Sequence, residues 1–263
     1  MTETNTRTIP IYPDLSGKVA VVTGGSKGIG AATCRVLAAN GVAIAVVARD
    51  LGGITQVVQV LERSGARAIG ISADMVRSGE ADRVRTEVES ALGPADILIA
   101  FAGGFGRHSR VLETSEAEWR EVIDSNLTST FLTCRAFLPG MVERKRGVIV
   151  TMASIAGRVL ESPGGTASYS AAKAGIIMFT RHAAREVGKF GVRINCVAPA
   201  TTMTERVERI TPSERLQQLA DLAPMKRIGM PDDTALATLF LVSDSASWLT
   251  GITVDVTGGR AML

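Results

Sequence analysis

Cysteine, aromatic side chains, excess charge and long apolar runs are all scarce in this 263-residue chain. The formal net charge of only +3 is far below what a dedicated nucleic-acid binder carries. No apolar run is long enough to span a bilayer, so neither a nucleic acid nor a membrane is expected as a partner. The three cysteines, Cys34, Cys134 and Cys196, are far apart. They form no metal-spaced cluster and no pairing pattern, and read as small buried apolar residues in a reducing cytoplasm. No metal site is expected. The first 16 residues are polar, with several Thr and Pro and no apolar h-region, and read as a flexible tail rather than a signal peptide. The rest, 17–263, is long enough for one large core and suits a single α/β domain.

What the chain does have is apolar runs that alternate with helical patterns. Lys18–Thr23 reads as a buried strand, followed by a helix from about Gly28 to Asn40. Further strands are expected at Val42–Ala48, Arg67–Ser72, Asp96–Ala100, Gly147–Met152, Arg193–Val197 and Ile252–Val256. Helices fill the gaps, at about 79–92, 115–144, 168–189 and 231–243, with a polar helical stretch at 204–222. Strands that are apolar throughout are covered on both faces, which implies a parallel sheet between helices. The strict alternation gives a doubly wound, Rossmann-type α/β sheet of about seven mainly parallel strands.

Two segments carry chemistry. The first, Thr23-Gly24-Gly25-Ser26-Lys27-Gly28-Ile29-Gly30, closes the first strand. Gly24, Gly28 and Gly30 permit a tight turn and close backbone approach, and the following helix offers free N–H groups to a pyrophosphate. Its spacing is G-x-x-x-G-x-G rather than G-x-G-x-x-G. The second strand ends Val47-Ala48-Arg49, with Ala where an NAD site carries an acid for the ribose 2′-OH. Arg49 and Lys27, with Ser26, suit the 2′-phosphate of NADP(H). Strand alternation turns Asp50 away from this group. The second segment, Tyr169-Ser170-Ala171-Ala172-Lys173, sets a phenol and an ammonium one helical turn apart. A cation about 4 Å from a phenol, at an effective dielectric of 20, favours the phenolate by up to ~4 kcal/mol, or ~3 pH units. That brings a side chain of ordinary pKa ~10 to where acid–base exchange runs both ways.

With these residues the chain resembles the short-chain dehydrogenase/reductase family over about residues 15–260, and most of all its 3-oxoacyl-carrier-protein reductase branch. The resemblance also rests on Asp74, Asn126, Ser154, Pro199 and the closing Val256-Thr257-Gly258-Gly259. It implies a catalytic set of Asn126, Ser154, Tyr169 and Lys173. Tyr169 exchanges the proton, Lys173 lowers its pKa and bonds the nicotinamide ribose, and Ser154 holds the substrate oxygen. Asn126 anchors a water-linked proton relay. It also implies a cofactor site of Gly24, Ser26, Lys27, Gly28, Ile29, Gly30, Arg49, Asp74, Met75, Ala102, Gly103, Tyr169, Lys173, Pro199 and Thr204. In that site Asp74 meets the adenine amine and Thr204 the carboxamide. A substrate lid is expected over about 200–225. A homotetramer is expected through helices bearing Leu127, Phe131, Phe137, Ile177 and Phe179, each of which could equally lie in the protomer core.

Three departures from the family pattern stand out. Ala100-Phe101-Ala102-Gly103 replaces the usual Asn-Asn-Ala-Gly, with loss of bracing amides that packing by Phe101 would offset. Ala200 follows Pro199 where Gly is usual. Ser154 and Tyr169 are 15 residues apart, with extra residues expected at Glu161–Gly165 beside the substrate pocket. Substrate signals are sparse. Arg206, Arg209 and Arg215 fit either an anionic substrate or a solvated face. Arg144-Lys145-Arg146 and Arg185 fit either an acyl-carrier-protein dock or a surface cluster. Gly103-Gly104-Phe105-Gly106-Arg107-His108 is expected to line the pocket mouth, with His108 a surface or substrate-contact residue rather than catalytic, and His182 reads as structural. The expected activity is NADP(H)-dependent hydride transfer to a carbonyl or from a secondary alcohol, with a small-molecule or acyl-thioester carbonyl substrate. The alternative is a catalytically silent NADP(H)-binding regulatory or scaffold protein. Such a protein typically lacks the Tyr or Lys that this chain retains.

Overall fold

The computed structural model describes residues 8–160 and 166–262. Within them, seven strands form one parallel sheet: β1 (Val19–Thr23), β2 (Ala43–Ala48), β3 (Ala68–Ser72), β4 (Ile97–Ala100), β5 (Gly147–Met152), β6 (Val192–Pro199) and β7 (Thr253–Val256). Their order is β3-β2-β1-β4-β5-β6-β7, with every pairing parallel. The order reverses beside β1, between β1 and β4, where an open α/β sheet leaves a ligand crevice at its carboxyl ends. The helices are α1 (Gly28–Ala38), α2 (Leu51–Arg63), α3 (Glu80–Ala91), α4 (Glu116–Ile123), α5 (Ser129–Glu143), α6 (Ala167–Val187), α7 (Glu205–Ile210), α8 (Ser213–Asp221) and α9 (Pro231–Val242).

The apolar strands fill two cores because their side chains alternate between faces. Val21, Val47, Leu98 and Ile149 pack with Val84, Val88, Cys134 and Phe137 of α3 and α5. Ala20, Val22, Ile44, Val46, Ile99 and Val150 pack on the other face with Val36, Leu37, Leu239 and Val242 of α1 and α9. The three cysteines are fully buried. Burial pushes the Cys134 thiol up to about 12, because a thiolate loses its hydration there.

Several expectations change. The helical stretch at 115–144 is two helices joined by a π-helical turn at Asp124–Thr128, with a Ser115–Glu118 capping box starting the first. The polar helical stretch at 204–222 is likewise two helices, α7 and α8, separated at Thr211–Pro212, since Pro212 cannot continue the ladder. The polar N-terminal segment is docked from residue 9 onward rather than loose. Ile9 and Tyr12 pack against the core and Leu15 is fully buried. The Tyr12 N–H donates to Asn40 Oδ1 at 2.7 Å, and Asn40 Nδ2 donates to the Pro10 carbonyl at 3.0 Å. Sequence polarity missed this because backbone groups, satisfied by one buried Asn, hold the segment down.

Candidate active site

Every cofactor and catalytic position read from the sequence, apart from Asn126, Tyr169 and Lys173, follows the carboxyl end of a strand. Gly24–Gly30 follow β1, Arg49 follows β2, Asp74 and Met75 follow β3, Ala102 and Gly103 follow β4, Ser154 follows β5, and Thr204 follows β6 with Pro199 as its last residue. Asn126 comes from the π-helical turn and Tyr169 and Lys173 from α6.

Glycine is required at the cradle by crowding. A Cβ on Gly24, whose φ is +68°, would stand 2.7 Å from the Phe101 carbonyl oxygen, and one on Gly30 would collide with the Gly24 carbonyl. A Cβ on Gly28, at φ +51°, would lie 2.9 Å from Thr204 Cγ2, so the residue that caps α7 faces the cradle directly. The residues fit a dinucleotide. The N–H groups of Gly28, Ile29 and Gly30 open α1 toward the pyrophosphate position. Asp74 is half-buried, and Met75 is buried beside it. When bound, a nicotinamide cofactor supplies or accepts the hydride.

The Ala100–Gly103 departure has its own brace. Thr23 Oγ1 accepts from the N–H groups of Phe101 and Ala102, each at 3.1 Å, and donates to the Ile99 carbonyl at 3.3 Å. One hydroxyl of β1 thus braces the β4 turn, while Phe101 is buried in the core. Asn126 is fully buried. Its amide clamps Gly104 from both sides, donating to the carbonyl at 3.0 Å and accepting from the N–H at 3.2 Å. Its own carbonyl accepts from Thr130 Oγ1 at 2.7 Å. At Gly103, φ is +144° and a Cβ would stand 2.5 Å from Asn126 Oδ1.

Lys173 is 3% exposed and its Nζ donates to the Met152 carbonyl at 2.8 Å. It lies 5.4 Å from the centroid of the Tyr169 ring. Burial lowers its pKa from 10.5 to about 8, against a smaller opposing effect of Cys196. Ser154 Oγ caps the short turn Ile155–Gly157 by accepting from the Ala156 N–H at 3.2 Å. That turn rides on α6 so closely that a Cβ on Gly157 would stand 2.6 Å from the Lys173 carbonyl carbon. Arg158 then forks onto Asp255 of β7 at 2.8 and 2.9 Å. Ser154, Tyr169 and Lys173 are therefore held by one turn, one helix and one largely buried ion pair. Sequence reading missed the bracing role of Thr23 and the Arg158–Asp255 fork, whose partners are distant in the chain.

Phe105 lies edge-on to Tyr169, with ring centroids 4.9 Å apart, and His108 lies edge-on to Phe105 at 5.7 Å. The Phe105 carbonyl accepts from Arg206 of α7 at 2.9 Å, so α7 grips the loop beside the phenol. A cavity of about 520 Å³ between the lid and β7 touches Ala200 and Thr202 but not Tyr169. The expected insertion at Glu161–Gly165 lies outside the described residues.

Two further readings need correction, and two open ones are narrowed. Asp50 does not turn away from the cradle; its carboxylate pairs with Lys27, because β2 ends at Ala48 and strand alternation does not extend past it. His182 is exposed and has no structural burial. Phe137 and Ile177 lie in the protomer core, whereas Phe131 is 44% exposed and packs edge-on to Phe179. Arg144 and Arg146 are used internally, on the Ala95 carbonyl and Asp96, at the amino ends of the strands away from Tyr169.

A parallel doubly wound sheet with a glycine cradle after β1 and a Tyr–Lys pair over β5 defines a nicotinamide-dependent oxidoreductase class. Residues 18–215 match the family model described as short chain dehydrogenase, and the chain belongs to that family, whose members act on CH–OH or C=O groups. It is 34% identical over 250 residues to the 3-oxoacyl-acyl-carrier-protein reductase FabG of Escherichia coli (strain K12), covering 95% of this chain and 100% of the relative. It is 37% identical over 261 residues to a cyclohexanol dehydrogenase of Rhodococcus sp. (strain TK6), covering 93% and 96%. Among solved structures, a 3-oxoacyl-acyl-carrier-protein reductase from Brucella melitensis with bound NAD superposes with a TM-score of 0.89 at 33% identity, covering 100% of this chain and 98% of that one. No helix among the described residues is long and apolar enough to cross a membrane.

Proposed function

We propose that the chain is an NADP(H)-dependent reductase of ketones, or dehydrogenase of secondary alcohols, that works in the cytoplasm. The observation that carries this reading is the buried Lys173 ammonium fixed beside the Tyr169 ring. An ammonium there stabilises the phenolate left when Tyr169 gives its proton to the substrate oxygen. In reduction the carbonyl carbon receives the hydride and its oxygen receives the Tyr169 proton. Ser154 Oγ holds that oxygen, and Asn126 keeps the Gly103–Gly104 loop in place. In oxidation the same groups run backwards. A silent scaffold reading has nothing to recommend it, since no member of the catalytic set is replaced.

Arg49 and Lys27, with Ala48 in place of an acid, support NADP(H) over NAD(H). The substrate reading divides. The FabG relatives support a 3-oxoacyl thioester, with a carrier protein as the delivering partner. The Phe105 ring against Tyr169 supports a compact alicyclic ketone, the class to which the product of the cyclohexanol dehydrogenase belongs. The basic cluster at 144–146 lends docking little support, as two of its three side chains are engaged within the protomer. A homotetramer is supported by exposed Trp119, Phe131 and Met178 on α4, α5 and α6. NADPH oxidation with an acetoacetyl thioester, a diketone, a cyclic ketone and a sugar ketone tests the assignment. Turnover of at least one is expected, and silence across the panel with NADPH bound would overturn it.

A further inference from the structure

Lys27 and Asp50 sit at the adenosine end of the cofactor cleft and neutralise each other. Lys27 Nζ is 2.5 Å from Asp50 Oδ2, and the two side chains are 65% and 48% exposed. Asp50 is the residue before α2, and the helix's first turn closes around it. A Cβ on Gly53 would stand 3.1 Å from Asp50 Oδ2, 3.2 Å from Ser26 Cβ and 3.3 Å from Lys27 Cε. Ser26, Lys27, Asp50 and Gly53 are thus one compact cluster spanning the cradle and the start of α2. Arg49, immediately before Asp50, is exposed and has no ion pair among the described residues.

We propose that Asp50 is an internal competitor for the 2′-phosphate of NADP(H), a specificity residue that occupies Lys27 until the cofactor displaces it. This rests on the reading that Lys27 and Arg49 receive that phosphate. The carboxylate already takes what a phosphate seeks there: the Lys27 ammonium and the positive end of α2. Lys27 and the amides of Gly52 and Gly53 hold its pKa below the ordinary carboxylate value, so it stays charged at neutral pH. NAD(H) has no 2′-phosphate and leaves the Lys27–Asp50 pair intact. NADP(H) must break that pair and then bind beside a like charge. Asp50 thereby narrows the gap between the two cofactors by weakening NADP(H) and leaving NAD(H) unaffected.

The test uses Asp50→Asn, because Asn caps a helix as well as Asp and removes only the charge. Calorimetric dissociation constants for NADPH and NADH are measured on the whole protein for wild type, Asp50→Asn and Lys27→Ala. An exposed ion pair accounts for up to about fivefold, and relief of charge repulsion adds to it. The NADPH/NADH affinity ratio is therefore expected to rise about fivefold to tenfold in Asp50→Asn and to fall in Lys27→Ala. If Lys27→Ala lowers the ratio while Asp50→Asn leaves it unchanged or lowers it, Asp50 positions Lys27 rather than competing, and the proposal fails alone. If Lys27→Ala leaves the ratio unchanged, the assignment of the phosphate to Lys27 fails and takes the proposal with it.

Discussion

Replacing Lys173 with Met should stabilise the protein at pH 7 while removing its activity. The side chain is 3% exposed, and burial lowers its pKa from 10.5 to about 8. At about 1.36 kcal/mol per pH unit, holding the charge there opposes folding by roughly 3 kcal/mol. Met fills similar space without charge, but it leaves the Met152 carbonyl without its 2.8 Å donor, which costs about 1–3 kcal/mol. The net is a gain of about 1 kcal/mol, or roughly 2–4 °C in Tm for a domain of this size. The pH dependence gives the sign. Because the folded pKa lies below the unfolded one, wild type loses stability as pH falls through about 8 and has recovered it fully above about 10.5. Lys173→Met lacks this recovery, so the variant should be the more stable protein at pH 7 and the less stable at pH 10. Denaturant unfolding of both proteins at the two pH values measures this. A variant less stable by the same amount at both would refute the idea that Lys173 is a charge buried against its preference for the sake of chemistry.

Gly30→Ala should abolish dinucleotide binding or folding, since its Cβ would collide with the Gly24 carbonyl; thermal melting with and without NADPH reports which. Ala48→Asp should reverse the cofactor preference by adding a ribose-bonding acid that repels the 2′-phosphate; a variant that still prefers NADPH would show the end of β2 to be misread. Light scattering at micromolar concentration should give about four times the 27.6 kDa protomer mass, with Phe131→Asp reducing it.

The fold was legible because it is periodic. Runs such as Val19–Val22 and Ile97–Ala100 are apolar at every position, which only a strand covered on both faces tolerates. Local spacing likewise carried the Tyr169–Lys173 pair and the cradle. What stayed hidden depends on contacts across the chain. Thr23 bracing Phe101 and Ala102 spans 78 and 79 residues, and Arg158 meeting Asp255 spans 97. No periodicity signals either. Asp50 was misjudged because an alternation rule was carried two residues past the last residue of its strand. The docked N-terminal segment was misjudged because its polarity hides the Leu15 anchor.

If Tyr169 is the proton donor of a nicotinamide-dependent carbonyl reductase, Tyr169→Phe, which removes one oxygen and leaves the ring against Phe105, should bind NADPH unchanged. Its turnover of the best ketone from the substrate panel should fall roughly 10²–10⁴-fold. Turnover measured beside NADPH affinity in the same variant decides the matter, and a variant that keeps most of its turnover would show that the proton comes from elsewhere.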